Sequence, residues 1–417
     1  MNVGIVSTWF ERGAAYVSRA YLEVLSRDHN VFVYARGGER YATDDPNWDG
    51  DFVTWGKRCA TNILTYVDWP DFKKWILDNR LDVVIFNEQT SWESVVRTKR
   101  LGIPIGAYVD YYNPETVDFF AIYDFLFCNT KRHYSVFKGH PNAVYIPWGT
   151  DIELFSPTPA TGKSNTLVFF HSCGMNAIRK GTDLLLRAFQ MVEGDAALLI
   201  HSQRPLTEYP HIDQTILLNP RIQVVVGDVH APGLYCRGDV YVYPTQLEGI
   251  GLTIAEALAS GLPVITTDCP PMNEFVVSGL NGRLVTVESS EVRADHYFWP
   301  ITKCDVGSLR SAMQFYVDNA NCLEAYRSAA RIYAQQHLDW KKNSAAVLDM
   351  ILDCKKVRSP YDNRLIDRII AHELSRGAYP SPLYLKVRQV LSRARARMRR
   401  SVCVLVEQSK RMKSDER

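Results

Sequence analysis

The sequence predicts an α/β protein with two successive doubly wound, Rossmann-like domains. Short apolar runs rich in β-branched residues alternate with helical patterns, and this alternation occurs twice along the 417-residue chain. Such runs are typical of parallel strands covered by helices on both faces. A stretch rich in Pro, Ser and Thr at 156–164 separates the two rounds and predicts a linker. Ligands of such folds bind at the carboxyl ends of the strands, so we expect the site in a central cleft that the two domains face.

Each round can be divided into its strands. The first round has runs that predict strands at 3–6, 31–34, 83–86, 103–109, 125–128 and 144–146. The second round has them at 166–170, 197–200, 222–226, 240–243 and 263–266. We expect residues 285–305 to be irregular and helices to continue to about residue 355. The predicted domains are 1–155 and 156–340, followed by a helix at 341–358 that packs back on the first domain and a basic helical extension at 359–417.

Composition excludes several classes of protein. Hydrophobic residues make up 46% of the chain and charged residues 23%, which excludes a disordered or fibrous protein. The 48 basic and 46 acidic residues nearly balance, but residues 386–417 carry 11 basic and 3 acidic side chains. A basic body with interleaved aromatic residues is absent, so we expect no nucleic-acid partner.

The sequence also bears on location. It contains no run of ~18 apolar residues, so we expect no membrane span, and no secretory signal is recognisable. Nine cysteines without a Cys-x-x-Cys pair favour a reducing, cytoplasmic location.

The segment 244–263 is the most informative part of the sequence. It predicts a strand end, a loop containing Gly249 and Gly251, and a helix that begins near Thr253. The free amides and positive dipole at the start of such a helix can bind a diphosphate. Glu248 lies in the loop and Glu256 one turn inside the helix. Two plainer interpretations remain open here: Thr253 and Glu256 match a capping box, and Glu248 could be an ordinary surface carboxylate.

Taken together, these residues resemble the E-x7-E region of retaining glycosyltransferases with the GT-B fold, above all glycosyltransferase family 4. Residues 179–189 look like the donor-phosphate segment of that family. Residues 226–244 are similar to the run that precedes its E-x7-E motif, 273–282 to the run after the motif, and 146–157 to its crossing between the domains. The resemblance covers about residues 1–355 and is most specific in the second round. It implies that the domain 1–155 is on the acceptor side and that the domain 156–340 binds the nucleotide-sugar.

The resemblance implies a role for each matching residue. Glu256 would bind the ribose hydroxyls, and Glu248 would lie beside the transferred sugar as a catalytic residue. Arg179 and Lys180 would neutralise the diphosphate, whose other contacts would come from the backbone of the loop and helix start. Those backbone positions are Gly249, Ile250, Gly251, Leu252 and Thr253. Asp228 and Val229 would lie near the base edge.

The sequence departs from the family pattern at three places. Cys173 and Gly174 stand where the family often has an arginine, so His171 or backbone amides would have to replace that contact. Asp110 stands where the family commonly has a histidine; either Asp110 takes that place as a catalytic residue, or the catalytic contact comes from elsewhere in the chain. The loop 7–14 would face the acceptor but lacks the usual pair of glycines.

Two patterns suggest other chemistry but have simpler interpretations. Asp49 and Asp51 have the D-x-D spacing of metal-dependent transferases, but the surrounding polar residues predict a surface turn. His133 follows Lys131 and Arg132 and is predicted to lie on the surface of a helix. No pair of histidines has zinc-ligand spacing, so we expect no metal site and no cofactor.

The sequence therefore predicts a metal-independent, retaining hexosyltransferase. Its partners would be a nucleotide-diphospho-sugar donor and a glycan or lipid-linked acceptor. Two alternatives remain open: a catalytically silent GT-B partner or glycan-binding subunit, and a GT-B epimerase or phosphorylase.

In the tail, apolar residues recur three or four apart among arginines, the pattern of a basic amphipathic helix. Residues 384–417 would attach the enzyme peripherally to an anionic membrane at its cytoplasmic face, or would pack on the acidic body.

Overall fold

The computed structural model describes residues 1–58, 64–158, 166–356, 358 and 362–376. The predicted membrane-binding segment 384–417 lies outside these residues, as do residues 159–164 of the predicted linker. The described chain forms two compact units. The first unit comprises residues 1–19, 28–105 and 362–376, and the second comprises residues 20–27 and the described part of 106–358. The predicted domain boundary at 155/156 stays a prediction.

Helices and strands alternate along the described chain. In chain order they are β1 (Asn2–Ser7), α1 (Gly13–Leu25), β2 (Asn30–Ala35), β3 (Val53–Trp55), α2 (Trp69–Asp78), β4 (Val83–Asn87), α3 (Glu93–Arg100), β5 (Ile105–Tyr108), β6 (Phe125–Cys128), α4 (Lys131–Phe137), β7 (Ala143–Tyr145), β8 (Leu167–Gly174), α5 (Thr182–Gln190), β9 (Ala196–Ser202), β10 (Ile222–Val226), β11 (Val240–Tyr243), α6 (Leu252–Ala259), β12 (Val264–Thr267), β13 (Gly282–Val285), β14 (Val287–Glu291), β15 (Ile301–Cys304), α7 (Val306–Asp318), α8 (Leu323–His337), α9 (Trp340–Asn343), α10 (Ala345–Asp353) and α11 (Asn363–Ser375). Short 3₁₀ helices lie between some of them, at Val117–Ile122, Leu206–Glu208, Ile216–Leu218, Tyr235–Arg237, Met272–Glu274 and Ala320–Cys322.

The first unit contains four parallel strands in the order β3-β2-β1-β4. Strands β1 and β4 are almost wholly buried, which explains their continuous apolar sequence. Helix α11 packs against α3. In this contact the Glu373 carboxylate of α11 accepts a hydrogen bond of 3.0 Å from the backbone amide of Trp92, directly before α3. Burial raises the pKa of Glu373 to about 7, although the hydrogen bond from Trp92 opposes this shift.

The second unit contains β5-β6-β7 as neighbouring parallel strands and a separate sheet in the order β10-β9-β8-β11-β12-β13. Helices α5 and α7 pack on the second sheet through a buried core. Members of this core include Phe169, Leu185, Phe189, Val242 and Met313. The chain places β9 and β10 on one side of β8, and then β11, β12 and β13 on the other side. Sheets of this kind bind ligands at such a change of strand order, in the crevice at the carboxyl ends of the strands.

Every run that was predicted as a strand overlaps a strand of the structure, with ends that differ by a few residues. The expectation for 285–305 was wrong, because β14 and β15 pair there as an antiparallel hairpin. Strand β14 has mostly exposed side chains and therefore no buried apolar run that could reveal it. The short strands β3 and β13 were also not predicted. Among the described helices, none is long and apolar enough to cross a membrane.

Candidate functional site

The loop after β11 leads from Tyr243 through Glu248 into helix α6. Gly251 lies directly before the helix with φ of +93°, a conformation that glycine adopts readily and most residues do not. No side chain caps the first turn of α6. A capping box of Thr253 and Glu256 is therefore excluded, and Glu256 has a different partner. Its Oε2 accepts a hydrogen bond of 2.6 Å from the hydroxyl of Tyr235.

The backbone amides at the start of α6 have no acceptor. None of the amides of residues 249–253 donates a hydrogen bond to another group of the described chain. Amides at a helix N-terminus carry a partial positive charge. A run of such amides can receive the oxygens of a phosphate or diphosphate.

A second turn lies against this loop and carries Arg179 and Lys180. The carbonyl of Arg179 accepts a hydrogen bond from the amide of Gln246 at 2.8 Å, and the hydroxyl oxygen of Thr245 lies 3.2 Å from the same carbonyl oxygen. Gly181 ends the turn with φ of +69° at the start of α5, and a Cβ there would lie 2.1 Å from the carbonyl oxygen of Pro244. Glycine at position 181 therefore allows the two loops to approach and brings the Lys180 side chain into the site.

Lys180 and Glu248 form an ion pair with 2.5 Å between Nζ and Oε1. The hydroxyls of Tyr243 and Thr245 also donate to Oε1 of Glu248, at 2.9 Å and 2.6 Å. Burial by itself would raise the pKa of Glu248, but the charges of Lys180 and Arg179 together with these hydrogen bonds lower it to about 2. Burial lowers the pKa of Lys180 to about 8 although Glu248 opposes the shift. At neutral pH the Lys180 ammonium and the Glu248 carboxylate are therefore both charged. The bonds described above all go to Oε1 of Glu248, and in the described chain no donor contacts its Oε2.

Glu256 is partly buried beside Tyr235, and burial raises the pKa of its carboxyl group. The hydroxyl of Tyr235 partly offsets this shift by donating to Oε2. Within the described residues, no donor contacts Oε1 of Glu256. That oxygen is available to accept a hydrogen bond from a ligand hydroxyl.

Asp110 lies after β5, against the loop that carries Glu248. A Cβ on Gly249 would lie 2.6 Å from Oδ1 of Asp110, so any larger residue at position 249 would require this carboxylate to move. The same oxygen is 3.5 Å from Nε2 of His133. Asp110 and the loop that carries Glu248 are therefore close together in the second unit, although they are far apart in the sequence.

The prediction that His133 lies on the surface of a helix is wrong. Its side chain is fully buried, with Nδ1 2.9 Å from the hydroxyl of Tyr112 and Nε2 3.2 Å from the carbonyl oxygen of Gly249. Burial and the neighbouring Arg132 charge lower the pKa of His133 well below its ordinary value, so the ring is neutral. The helix α4 begins after the cap Thr130 at the end of β6, and this places its first turn at the site.

The remaining predicted residues lie at the same edge of the second sheet or in its core. Asp228 and Val229 follow β10, and the Asp228 carboxylate accepts a hydrogen bond of 2.8 Å from Gln203. His171 cannot replace a missing phosphate contact. It is fully buried, and its two ring nitrogens bond the carbonyl of Val242 and the hydroxyl of Thr182, each at 2.8 Å.

The D-x-D pattern forms a turn in the first unit. The carboxylate of Asp49 accepts hydrogen bonds from the amide of Asp44 and from the indole of Trp55, each at 2.8 Å. Among the described residues, no group of three or more His, Cys, Asp or Glu side chains is arranged to hold a metal ion.

The loop 7–14 lies at the carboxyl end of β1, beside a buried polar cluster of the first unit. The Ser7 and Ser18 hydroxyls are 2.8 Å apart, and the Asn87 side chain donates to Ser18 at 2.6 Å. Next to them, the buried Arg36 guanidinium bonds Glu39 at 2.8 Å and the carbonyl of Asn87 at 2.6 Å. The loop 7–14 thus lies at the carboxyl end of a parallel strand, the end at which sheets of this kind bind ligands.

Several residues of the site were not predicted from the sequence. These are the partners of the two glutamates, Tyr243, Thr245 and Tyr235, together with Arg132, Tyr112 and Trp299. One signal was available for Arg132 and His133. Thr130 follows a predicted strand and is a good N-cap residue, so the next turn had to lie at the carboxyl end of that strand.

Comparison with known proteins identifies the class to which this geometry belongs. The family model described as Glycosyl transferases group 1 matches residues 165–297, which contain both the Lys180 turn and the Glu248 loop. Residues 165–297 are thus a domain of the glycosyl transferases group 1 type.

One relative by sequence and two solved structures extend this result. The GtfA subunit of UDP-N-acetylglucosamine–peptide N-acetylglucosaminyltransferase from Streptococcus pneumoniae serotype 4 is 26% identical over 318 residues, which are 66% of this chain and 59% of that protein. The match thus spans less than two thirds of the relative. HepE of Anabaena, solved with UDP and glucose, superposes with a TM-score of 0.65 at 15% identity over 85% of this chain and 100% of its own. The pneumococcal O-GlcNAc transferase GtfA, solved with UDP and GlcNAc, has a TM-score of 0.64 at 15% identity over 85% and 99%.

These likenesses confirm the predicted fold class. The chain has the two parallel-sheet, Rossmann-like α/β domains of GT-B glycosyltransferases. The GtfA relative is a glycosyltransferase by name, and Lys180, Glu248 and Glu256 lie in the part of the chain that matches the group 1 domain.

Proposed function

We propose that this protein transfers a hexosyl group from a nucleotide-diphospho-sugar to a glycan or lipid-linked acceptor, with retention of configuration and without a metal ion. The observation that carries this proposal is the run of acceptor-free amides at 249–253, next to the Lys180–Glu248 ion pair. Amides and cations at one place suit a diphosphate, and a carboxylate beside them suits the hydroxyls of a sugar.

Each part of the donor has a matching group. The diphosphate would bind the amides of residues 249–253 and the side chains of Arg179 and Lys180. The free Oε1 of Glu256 would accept from a ribose hydroxyl, and the free Oε2 of Glu248 from a hydroxyl of the sugar. Asp228 and Val229 would contact the base. Two structural neighbours were solved with UDP, which makes UDP-sugars the first donors to test.

The proposed reaction exchanges two bonds at the anomeric carbon of the sugar. The bond from that carbon to the diphosphate oxygen breaks, and a bond to the acceptor hydroxyl oxygen forms on the same face. The hydroxyl proton passes to an oxygen of the leaving diphosphate. Lys180, Arg179 and the loop amides would stabilise the negative charge that develops there, the role that a metal ion has in other transferases.

Asp110 is the second residue for which we propose a catalytic role. Its carboxylate lies against Gly249, beside the position that we assign to the sugar. A carboxylate there can accept a hydrogen bond from a sugar hydroxyl and stabilise positive charge at the anomeric carbon. This would replace the histidine of the family that the sequence resembles.

The acceptor would bind at the loop 7–14 of the first unit, at the carboxyl end of β1. The GtfA relative bears the name of a peptide N-acetylglucosaminyltransferase, so peptide acceptors belong in the same screen as glycans and lipid-linked sugars. We also propose a cytoplasmic enzyme that attaches peripherally to anionic membranes through residues 384–417.

A panel of nucleotide-sugars tests the function directly. Purified protein is incubated with UDP-, GDP- and ADP-sugars in excess chelator, and release of free nucleoside diphosphate is measured with and without acceptors. We expect release from one class of donor, and loss of release in Glu248→Gln. The exposed Glu288→Gln serves as the matched control. Binding of a nucleotide-sugar without any turnover would favour a silent GT-B subunit, and transfer of the sugar to phosphate would favour a phosphorylase. A product sugar with inverted configuration would contradict the retaining mechanism.

A further inference from the structure

The first turn of helix α4 holds the backbone of the Glu248 loop from one side. The guanidinium of Arg132 donates to the carbonyl of Glu248 and, at 2.9 Å, to the carbonyl of Pro270; its second contact with the loop is 3.4 Å to the carbonyl of Gly249. Arg132 is only 4% exposed, so these charge-assisted bonds form away from solvent. A buried arginine with backbone partners imposes a definite position on the carbonyls that it bonds.

The Arg132 turn is itself fixed by a carboxylate of the same unit. The two oxygens of Glu274 accept hydrogen bonds from the backbone amides of Lys131 and Arg132, at 2.6 Å and 2.8 Å. Thr130 caps the same turn through the amide of His133 at 3.1 Å. The backbone from which Arg132 and His133 project is therefore held on several sides.

His133 fixes the next carbonyl of the loop through a directed chain of hydrogen bonds. The indole N–H of Trp299 can only donate, so at 2.7 Å it donates to the hydroxyl of Tyr112. The same hydroxyl lies 2.9 Å from Nδ1 of His133 and can donate its own proton there. Nε2 faces two acceptors, the carbonyl oxygen of Gly249 at 3.2 Å and Oδ1 of Asp110 at 3.5 Å, so we assign the single N–H of the neutral ring to Nε2.

Fixing these carbonyls also fixes the amides that point the other way. In a trans peptide the C=O of one residue and the N–H of the next lie on opposite sides of the same plane. Holding the carbonyl of Glu248 therefore aims the amide of Gly249, and holding that of Gly249 aims the amide of Ile250. Neither amide has an acceptor in the described chain.

We propose that Arg132 and His133 are positioning residues that aim the Gly249 and Ile250 amides at the donor, and that Tyr112 and Trp299 select the Nε2–H tautomer of His133 for this purpose. The inference rests on the proposed function, because it assigns the groups that prepare the proposed diphosphate and sugar contacts. Preorganised amides cost no reorientation when the donor binds or when charge develops on the leaving group. Neither Arg132 nor His133 needs to touch the donor.

Two variants of one residue separate positioning from simple packing. In His133→Gln the side-chain NH₂ group can occupy the place of Nε2 and still donate to the Gly249 carbonyl. In His133→Asn the shorter amide reaches only the place of Nδ1 and loses that bond. With UDP as the probe in a calorimetric titration, we expect affinity within about twofold of wild type for Gln and about tenfold weaker for Asn, the effect of one hydrogen bond. The exposed His211→Asn is the control.

A spectroscopic measurement tests the chain of hydrogen bonds without any ligand. In protein labelled with ¹⁵N-histidine, the His133 ring should show a protonated Nε2 and an unprotonated Nδ1, and Tyr112→Phe should change this balance. The backbone amide resonances of Gly249 and Ile250 should shift in His133→Asn and stay near wild type in His133→Gln. A protonated Nδ1 in wild type, or unshifted Gly249 and Ile250 amides in His133→Asn, would overturn the proposal.

The two kinds of failure can be distinguished. If wild type binds UDP and the Gln and Asn variants bind it equally, the positioning role is wrong while the proposed function stands. If wild type binds no nucleoside diphosphate, but the tautomer and the amide shifts are as expected, the proposed function fails and the hydrogen-bond chain is supported.

Discussion

Nζ of Lys180 lies 2.5 Å from Oε1 of Glu248, 68 positions further along the chain. The pair joins the start of α5 to the loop before α6, and it leaves one oxygen of Glu248 without a partner in the described chain. In the proposed function a bound diphosphate competes with Glu248 for the Lys180 ammonium group. Lys180 can therefore pair either with Glu248 or with the diphosphate. A substitution of Lys180 or of Glu248 should change the affinity for the nucleotide.

Lys180→Ala should weaken nucleotide binding when no metal is present. A charge-assisted hydrogen bond in a mostly buried site is worth about 1.5–3 kcal/mol, so we expect UDP affinity to fall roughly ten- to hundredfold. Calorimetric titration in excess chelator measures this, with the exposed Lys138→Ala as control. Abolition of wild-type binding by the chelator, or an unchanged affinity in Lys180→Ala, would contradict the prediction.

The two glutamates should affect different kinetic quantities. Glu256→Ala removes the proposed ribose acceptor, so we expect weaker donor binding and a higher KM. Because no side chain caps α6, any loss of stability should come from the bond to Tyr235 rather than from helix capping. A Tyr235→Phe variant removes that bond alone and is the matched comparison for stability. Equal UDP affinity in Glu256→Ala and wild type would exclude the proposed ribose contact.

Glu248→Gln should lower turnover more than nucleotide affinity. Its proposed partner is the transferred sugar, and the neutral amide of glutamine cannot stabilise positive charge at the anomeric carbon. We expect kcat to fall at least tenfold while UDP affinity does not fall, because the neutral amide no longer competes with the diphosphate for Lys180. The measurements are initial rates at saturating donor together with a UDP titration. A variant as active as wild type would exclude the proposed role of Glu248.

How far the site could be predicted differs from residue to residue. Glu248, Glu256 and the glycines between them lie within one short segment, so their spacing indicates their chemistry directly. Lys180 could be related to them only through resemblance to known sequences. The contact of Arg132 with Glu248 could not be predicted, because the two residues are 116 positions apart and no local pattern indicates such a contact.

The fold was predicted well wherever burial controls the sequence. Strands such as β6 and β11 are buried on both faces, and their apolar runs mark them clearly. The β14–β15 hairpin was missed because exposed strands have no such constraint. That omission also concealed Trp299, which lies in the hairpin connection and bonds Tyr112. The burial of His133 could not be foreseen, since it depends on elements from distant parts of the chain.

Gly181→Ala should damage both stability and binding. An alanine at φ of +69° is strained by about 1 kcal/mol, and its Cβ would lie 2.1 Å from the carbonyl of Pro244. The two loops must then separate, which moves Lys180 away from Glu248. We expect a free energy of unfolding lower by about 2 kcal/mol or more, and weaker UDP binding. Chemical denaturation and titration measure the two effects.

Gly139→Ala is the matched control for this substitution, since its Cβ would meet nothing within 4 Å and its φ is not positive. It should change the free energy of unfolding by less than about 0.5 kcal/mol. Equal effects of the two substitutions would exclude the close approach as the cause.

Glu373 should make stability depend on pH. Its pKa is about 7 in the folded protein against an ordinary value of 4.5, so the folded state holds the proton more tightly. The stabilisation is complete below about pH 4.5 and is lost as the pH rises through 7. It amounts to no more than about 3 kcal/mol. In Glu373→Gln the side-chain oxygen can still accept from Trp92, so the variant should be more stable than wild type at pH 8.

Urea unfolding of wild type and Glu373→Gln between pH 5 and 8 measures this difference. The exposed Glu324→Gln is the control and should follow wild type at every pH. Parallel pH profiles for wild type and Glu373→Gln would show that this carboxyl does not titrate in the expected range.

The last prediction concerns residues 384–417, which lie outside the described residues. Residues 386–417 carry 11 basic and 3 acidic side chains, and the apolar residues among them recur at helical spacing. Each basic residue near an anionic surface contributes about 1 kcal/mol, so the full chain should sediment with anionic vesicles and much less with neutral ones. Raising the salt concentration should release it, because counterions screen this attraction. A chain that ends at residue 383 should remain in the supernatant while releasing nucleoside diphosphate from the donor at the wild-type rate. If instead the full chain binds neither kind of vesicle, and the shortened chain unfolds at lower urea concentration, the segment packs on the acidic body of the protein and the membrane prediction is wrong.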